Sequence, residues 1–251
     1  MSEDGRKHRP RSAHPITKTY RYFRKIRRNW FVALVLDFVF IIGAALAISL
    51  LVKAFVVRSF FIPSESMLET LQVNDRIIVS VALPGVSDFN RGDVVVFRDP
   101  GGWLSPQPEE PREPWQQVLD FFLGAFGITA EDSTEHLVKR VVGVEGDQVV
   151  CCDPDGFVTV NGVRIDEVYV RDGFPGDYQF DVTVPEDSFW VMGDNRRNSQ
   201  DSRFHSDLPS KGFVHRDFVV GRAFLVSWPL DNWNWLESFE SVFANVPDAA
   251  N

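Results

Sequence analysis

Residues Trp30 to Val52 form a 23-residue apolar run whose one charged side chain is Asp37. As a helix rising 1.5 Å per residue, such a run reaches roughly 35 Å, enough for a hydrocarbon core of about 30 Å. Three structures suit it. A cleavable signal peptide has a shorter apolar region, about 7–15 residues, before its cleavage site. The Ala45-Leu46-Ala47 triplet could pass for that site, but apolar residues continue to Val52. A buried core helix is the second, and a signal anchor over 30–52 is the expectation that fits the length. Asp37 lies in the first third of the run, where its carboxylate approaches the interface more cheaply than at the centre.

Residues 1–29 contain ten Lys or Arg against two acids, Glu3 and Asp4. Basic residues flanking a span stay inside, so 1–29 reads as a cytoplasmic arm and 53–237 as an extracytoplasmic domain. The expected location is therefore a cytoplasmic membrane crossed once, with the lipid bilayer as a partner. An RNA-binding tail is the alternative for the arm. The rest of the chain holds 16 basic against 33 acidic residues, which argues against nucleic acid as a partner, because phosphate contacts need clustered positive charge. With 44% hydrophobic and 24% charged residues in a chain of 251, the composition argues against wholesale disorder and a multi-span transporter.

Beyond residue 70 the pattern changes to short β-branched and aromatic runs between turn residues. Strands are expected at Arg76–Val79, Asp93–Phe97, His136–Val144, Gln148–Cys151, Phe157–Val160, Val163–Asp166, Tyr178–Val184, Ser188–Met192 and Val219–Trp228. Asn161-Gly162 between alternating residues is a type I′ hairpin signature. The expected fold is mainly β, an antiparallel sheet or barrel-like body behind one N-terminal transmembrane helix. Residues 99–135 read as an insertion. Its stretch Trp115–Ile128 has helical spacing and suits either a lid packed on the body or a segment resting on the bilayer. Residues 238–251 read as a flexible tail. Adjacent Cα atoms about 3.8 Å apart fall below the disulfide range, so Cys151 and Cys152 are expected as two buried thiols.

The chemistry-bearing residues are few. His136, His205 and His215 are the external histidines, and no ligand spacing makes them a metal site; solvated loop positions are expected for His205 and His215. Ser64 and Ser66 stand two apart shortly after the span, a pattern equally at home in a turn or helix cap. A serine nucleophile needs a base. Lys139 sits in a strand two positions before Val141, and a lysine facing a core loses hydration, which lowers its pKa. From that window alone, an outward-pointing Lys139 is as good a reading.

The order of four segments carries a resemblance. Pro63-Ser64-Glu65-Ser66-Met67-Leu68-Glu69-Thr70-Leu71 is similar to a P-S-x-S-M-x-x-T-L box. Arg91-Gly92-Asp93 opens an R-G-D-hydrophobic box. Lys139-Arg140-Val141-Val142-Gly143-Val144-Glu145-Gly146-Asp147 matches K-R-hydrophobic-x-G-x-x-G-D. Gly193 to Arg203 matches G-D-N-x-x-x-S-x-D-S-R. Each alone is moderately specific, but all four in order behind an anchor are very specific, and over residues 30 to about 230 the chain resembles the bacterial type I signal peptidases. These are membrane-bound serine endopeptidases that remove signal peptides from preproteins after Ala-x-Ala. The resemblance implies a Ser-Lys dyad, with Ser66 as nucleophile and Lys139 as general base, and Ser64 joining the Ser66 N–H as an oxyanion donor. Ser199 would direct the Lys139 amine, Asp201 and Arg203 would form a supporting ion pair, and Ile62 and Met67 would line the substrate pocket. No cofactor or metal is implied; proximity to the export machinery is. Glu65, Glu69 and Arg197 depart from the residues common at their positions, none of them catalytic. The competing readings are a histidine-based serine hydrolase, a non-catalytic anchored β domain, and a Ser-Lys autoprotease related to soluble repressors. The anchor argues against the last, and the Gly193–Arg203 box against the first two.

Overall fold

The computed structural model describes residues 30–81, 88–104, 135–170 and 178–249. The basic arm and the stretch Trp115–Ile128 lie outside them. Helix α1, Trp30–Phe55, extends slightly beyond the apolar run. Its Trp30–Leu50 segment has a mean hydropathy of 2.7 and is long and apolar enough to cross a membrane. None of that window is buried against protein, as it would be in a core helix. The chain divides into two units between Ser49 and Leu50.

Among the described residues the second unit is built from twelve strands: β1 Val57–Phe61, β2 Arg76–Val81, β3 Val94–Arg98, β4 His136–Gly143, β5 Gln148–Cys151, β6 Thr159–Val160, β7 Val163–Arg164, β8 Phe180–Thr183, β9 Ser188–Met192, β10 Val214–His215, β11 Val219–Trp228 and β12 Asn234–Trp235. One sheet runs β1-β2-β11-β3-β4-β9-β10, with β12 added to β11; the other runs β7-β6-β5-β8. The described pairings are all antiparallel. The mainly β expectation holds, and the Asn161-Gly162 hairpin forms with positive φ at both residues. Strands β1, β10 and β12 were not expected. The first is hidden because its apolar residues continue the run of α1, and the other two are only two residues long.

Alternation explains why β3 and β4 sit centrally. Val94 and Val96 enter one hydrophobic cluster with Phe60, Leu71 and Ile77, while Val95 and Phe97 enter another with Val141, Phe189 and Val191. Both faces of β3 are thus covered, and it pairs with β4 from Val94↔Arg140 to Arg98↔His136. A third cluster joins the small sheet to Trp190 and Met192.

Two expectations are corrected here. The described part of the tail, 238–249, is packed rather than loose: Phe243 and Val246 are buried in the third cluster, and the Pro247 carbonyl accepts hydrogen bonds from Asn161 Nδ2 (2.9 Å) and Arg91 Nη2 (3.3 Å). Gly92 lets it close down. Its φ is +92°, and a Cβ there would stand 1.8 Å from the Ser238 carbonyl oxygen. The apolar spacing of Val242, Phe243 and Val246 was the missed signal. The cysteines are not two thiols: Cys151 and Cys152 are joined as a vicinal disulfide across a cis peptide, with Cα atoms 3.0 Å apart. The expected exclusion had assumed trans spacing.

Candidate active site

The segment carrying Ser64 and Ser66 is a loop tied at its base. The Ile62 N–H donates to the Asp75 carbonyl (2.9 Å) and the Asn74 N–H to the Ile62 carbonyl (2.8 Å). Within it, the N–H groups of Leu68, Thr70 and Leu71 donate back to the carbonyls of Glu65, Met67 and Met67, winding residues 65–71 into compact turns. Ile62, Met67 and Leu71 sink into the first hydrophobic cluster and pin these turns to the sheet. Ser66 emerges from the loop 9% exposed. Ser64 Oγ lies 3.4 Å from Ser66 Oγ.

Lys139 comes from the middle of β4, opposite Val95 on β3, and is 4% exposed. Its Nζ donates to Ser66 Oγ at 2.8 Å and to the Val138 carbonyl at 3.0 Å. Burial lowers its pKa to about 8, with Arg203 acting in the same direction and the charges of Asp201 and Asp194 opposing. Removing a charged amine from water penalises the ammonium, so an amine that is almost wholly protonated in solution becomes available as a base near neutral pH.

The segment after β9 braces both residues. Asp201 and Arg203 form a fully buried ion pair through two hydrogen bonds of 2.7 Å. Burial by itself would raise the Asp201 carboxyl; the guanidinium and the Gly193 N–H (3.0 Å) outweigh it and hold the group below its usual range. Gly193 is required here by close approach, since a Cβ would stand 2.2 Å from Ser199 Oγ and 2.5 Å from the Ser66 carbonyl oxygen. Asn195 ties this turn to the serine loop: its N–H donates to the Ser66 carbonyl (3.1 Å) and its Nδ2 to the Glu65 carbonyl (3.0 Å). Asn198 Nδ2 donates to the Glu65 carboxylate at 3.1 Å. Glu65 and Arg197 are exposed, so neither departure disturbs the interior. Glu69 is exposed as well and adopts φ +83°, a left-handed conformation that is uncommon for a residue other than glycine.

The structure therefore brings Ser64, Ser66 and Lys139 together and pairs Asp201 with Arg203. Other expectations are corrected. Ser199 is buried; its hydroxyl makes no hydrogen bond to Lys139 and instead helps to hold the Asp201 carboxyl below its usual range. Ile62 and Met67 are 3% and 1% exposed, and both side chains pack in the first hydrophobic cluster. His205 is no solvated loop residue: it is buried, its ring stacks on Trp103 at 4.2 Å, and its Nδ1 lies 2.7 Å from the Asp201 carbonyl. His215 is exposed, and His136 packs against Phe60.

Residues given no role from sequence carry much of the framework. Arg140, beside Lys139 but fully buried, pairs with Asp194 through bonds of 2.9 and 2.6 Å, and the Thr70 hydroxyl donates to the same carboxylate. Arg91 grips Asp147 with two bonds of 2.7 and 2.6 Å. Their presence in the four boxes was the only signal available.

The family model described as "Signal peptidase, peptidase S26" matches residues 35–228. A protein named Signal peptidase I from Leptolyngbya laminosa is 36% identical over 191 residues, 76% of this chain and 78% of its own. A Signal peptidase I from Mycobacterium tuberculosis is 35% identical over 227 residues, 80% of this chain and 75% of its own. With the family model matching residues 35–228 and relatives of this identity covering three quarters or more of the chain, the chain belongs to the signal peptidase S26 family of serine peptidases.

Proposed function

We infer that the protein is a membrane-anchored serine endopeptidase that removes signal peptides from exported preproteins, with Ser66 as nucleophile and Lys139 as general base. The observation that carries this reading is the 2.8 Å contact between a buried, pKa-lowered amine and the Ser66 hydroxyl. When the amine is neutral, its lone pair can accept the hydroxyl proton. Oγ then attacks the scissile carbonyl, the Oγ–C bond forms, and the carbonyl electrons move onto oxygen. The Ser66 N–H and the Ser64 hydroxyl would meet that oxyanion, a role supported by the 3.4 Å between the two serine oxygens; one such donor is worth about 2.7–4 kcal/mol. As the intermediate collapses, Lys139 returns the proton to the departing amine, which is the new N-terminus. Water, deprotonated by the same lysine, hydrolyses the acyl-enzyme.

The basic arm supports a cytoplasmic N-terminus, α1 as a single anchor, and residues 53–237 with their 99–135 insertion outside the membrane. Trp228, Leu230, Trp233 and Trp235 are exposed large apolar residues of this part, and tryptophan suits the headgroup region of a bilayer. Proteinase added to intact, wall-stripped cells should digest the body and spare residues 1–29; protection of the body would reverse the orientation.

Substrates held in the bilayer by their own apolar segment would meet the enzyme at raised effective concentration, close to the export machinery that delivers them. With Ser66 nearly buried, little room remains for a large side chain beside the cut, which supports cleavage after Ala-x-Ala. In a competition between otherwise identical preproteins in vesicles, changing either Ala to Leu should lower kcat/KM by about 10–200-fold, the usual range for a pocket discriminating by size. Equal rates would contradict the proposed specificity.

A further inference from the structure

We propose that Tyr169 and Phe239 are positioning residues for the reaction, holding the Arg140 guanidinium so that it fixes the turn that carries the nucleophile loop. The proposal rests on the assignment of Ser66 and Lys139 above. Neither aromatic residue lies in the four sequence boxes.

Arg140 is fully buried, and its donors are directed at several groups at once. Nε and Nη2 bind Asp194, Nη2 also donates to Thr70 Oγ1 (3.2 Å), and Nη1 donates to the carbonyls of Gly92 (2.6 Å) and Glu237 (3.4 Å). In-plane hydrogen bonds leave the guanidinium faces to be packed. The Tyr169 ring centroid lies 4.2 Å and that of Phe239 5.1 Å from the guanidinium carbon, and the two rings touch at 5.3 Å. They form an aromatic corner against a desolvated cation, where cation–π attraction is strongest.

This corner connects to the nucleophile by two routes. Through Arg140, it holds the Asp194 carboxylate, which accepts the Thr70 hydroxyl four residues beyond Ser66. Through the Tyr169 hydroxyl, which donates to Glu167 at 3.0 Å, it holds the Glu167–Arg196 pair, and Arg196 Nε donates to the Gly193 carbonyl at 3.0 Å. Both ends of the Gly193–Arg196 turn are thus fixed, and the Asn195 N–H of that turn binds the Ser66 carbonyl. Phe239 enters the corner from the packed tail, at a positive φ of 48°.

The test uses full-length protein in lipid vesicles with a preprotein substrate, comparing Phe239→Met, Phe239→Leu and Phe239→Tyr. Met and Leu keep apolar bulk but lose the ring face. Each should lower kcat by roughly tenfold, the scale of one desolvated cation–π contact, with KM changed less than about twofold. Phe239→Tyr should restore kcat. The pH profile gives a second readout. The charges acting on the Lys139 amine are Asp194 and Asp201, which raise its pKa, and Arg203, which lowers it. A loosened Arg140 leaves Asp194 less neutralised, so the acidic limb should move to higher pH in the Met and Leu variants and return in the Tyr variant. A loss of stability alone would move neither the limb nor the kcat of the folded fraction. The proposal is overturned if Met and Leu keep wild-type kcat and limb, or if Tyr is as impaired as Leu. Should Phe239→Leu fail to fold, Phe239→Met against Phe239→Tyr decides. Ser66→Ala, run alongside, separates the two levels: retained cleavage there overturns the assignment of Ser66 itself, whereas lost cleavage with an indifferent Phe239 overturns only the positioning role.

Discussion

Lys139→Arg should abolish preprotein cleavage, with kcat falling by about 10⁴-fold or more, as when the base of a serine hydrolase is removed. The guanidinium keeps the charge and most of the length, but it cannot give up its proton at any working pH, so it cannot take the Ser66 proton. A lysine held by burial to a pKa of about 8 is protonated and inactive below that value and neutral above it. The wild-type rate should therefore rise with pH through an apparent pKa of about 8, far below the value near 10.4 of a solvated lysine. Steady-state rates across pH 6 to 10 check both statements. Substantial cleavage by Lys139→Arg, or a limb set by a histidine and lost in His205→Ala, would contradict the dyad.

Asp201→Ala should cost about 3–5 kcal/mol of stability, because it leaves the Arg203 guanidinium buried with its counter-charge gone. The Gly193 N–H loses its acceptor in the same change, adding to the loss. The sign with pH follows from the direction of the shift. A carboxyl held below its usual range contributes its full stability above about pH 4 and loses it only as the pH falls through the lowered folded-state value. Near neutral pH the variant should thus melt well below wild type, and the difference should shrink under strongly acidic conditions. Thermal unfolding in detergent at the two extremes measures it; a melting temperature equal to wild type at neutral pH would show that the pair is not supporting the fold.

What could be read from sequence divides along physical lines. Strands β4, β9 and β11 were legible because apolar β-forming runs persist for several residues, and the hairpin at Asn161-Gly162 because its turn demands positive φ. Ser66 and Lys139 were legible only in combination: neither residue's own window decided its role, while the order of four boxes did. Illegible features were those set by distant partners. Arg140 and Asp194 are 54 positions apart, and no periodicity pairs them. Ile62 and Met67 carry apolar side chains that suit a pocket wall and a core equally, and only packing placed them in the core. The Ser199 hydroxyl shows the reverse limit, since belonging to a matching box did not bring it to Lys139.

The packed tail has a consequence for biosynthesis. The nucleophile, the base and the ion pair of Asp201 with Arg203 are all encoded before residue 204, whereas Phe239, the Glu237 carbonyl and the Pro247 carbonyl, which contact Arg140, Arg91 and Asn161, leave the ribosome later. Translation therefore delivers the reacting groups first and their reinforcement afterwards. A nascent peptidase still being synthesised in the membrane, surrounded by other emerging preproteins, has its catalytic pair encoded while the segment that reinforces Arg140 is still missing, so its full working geometry comes late in translation.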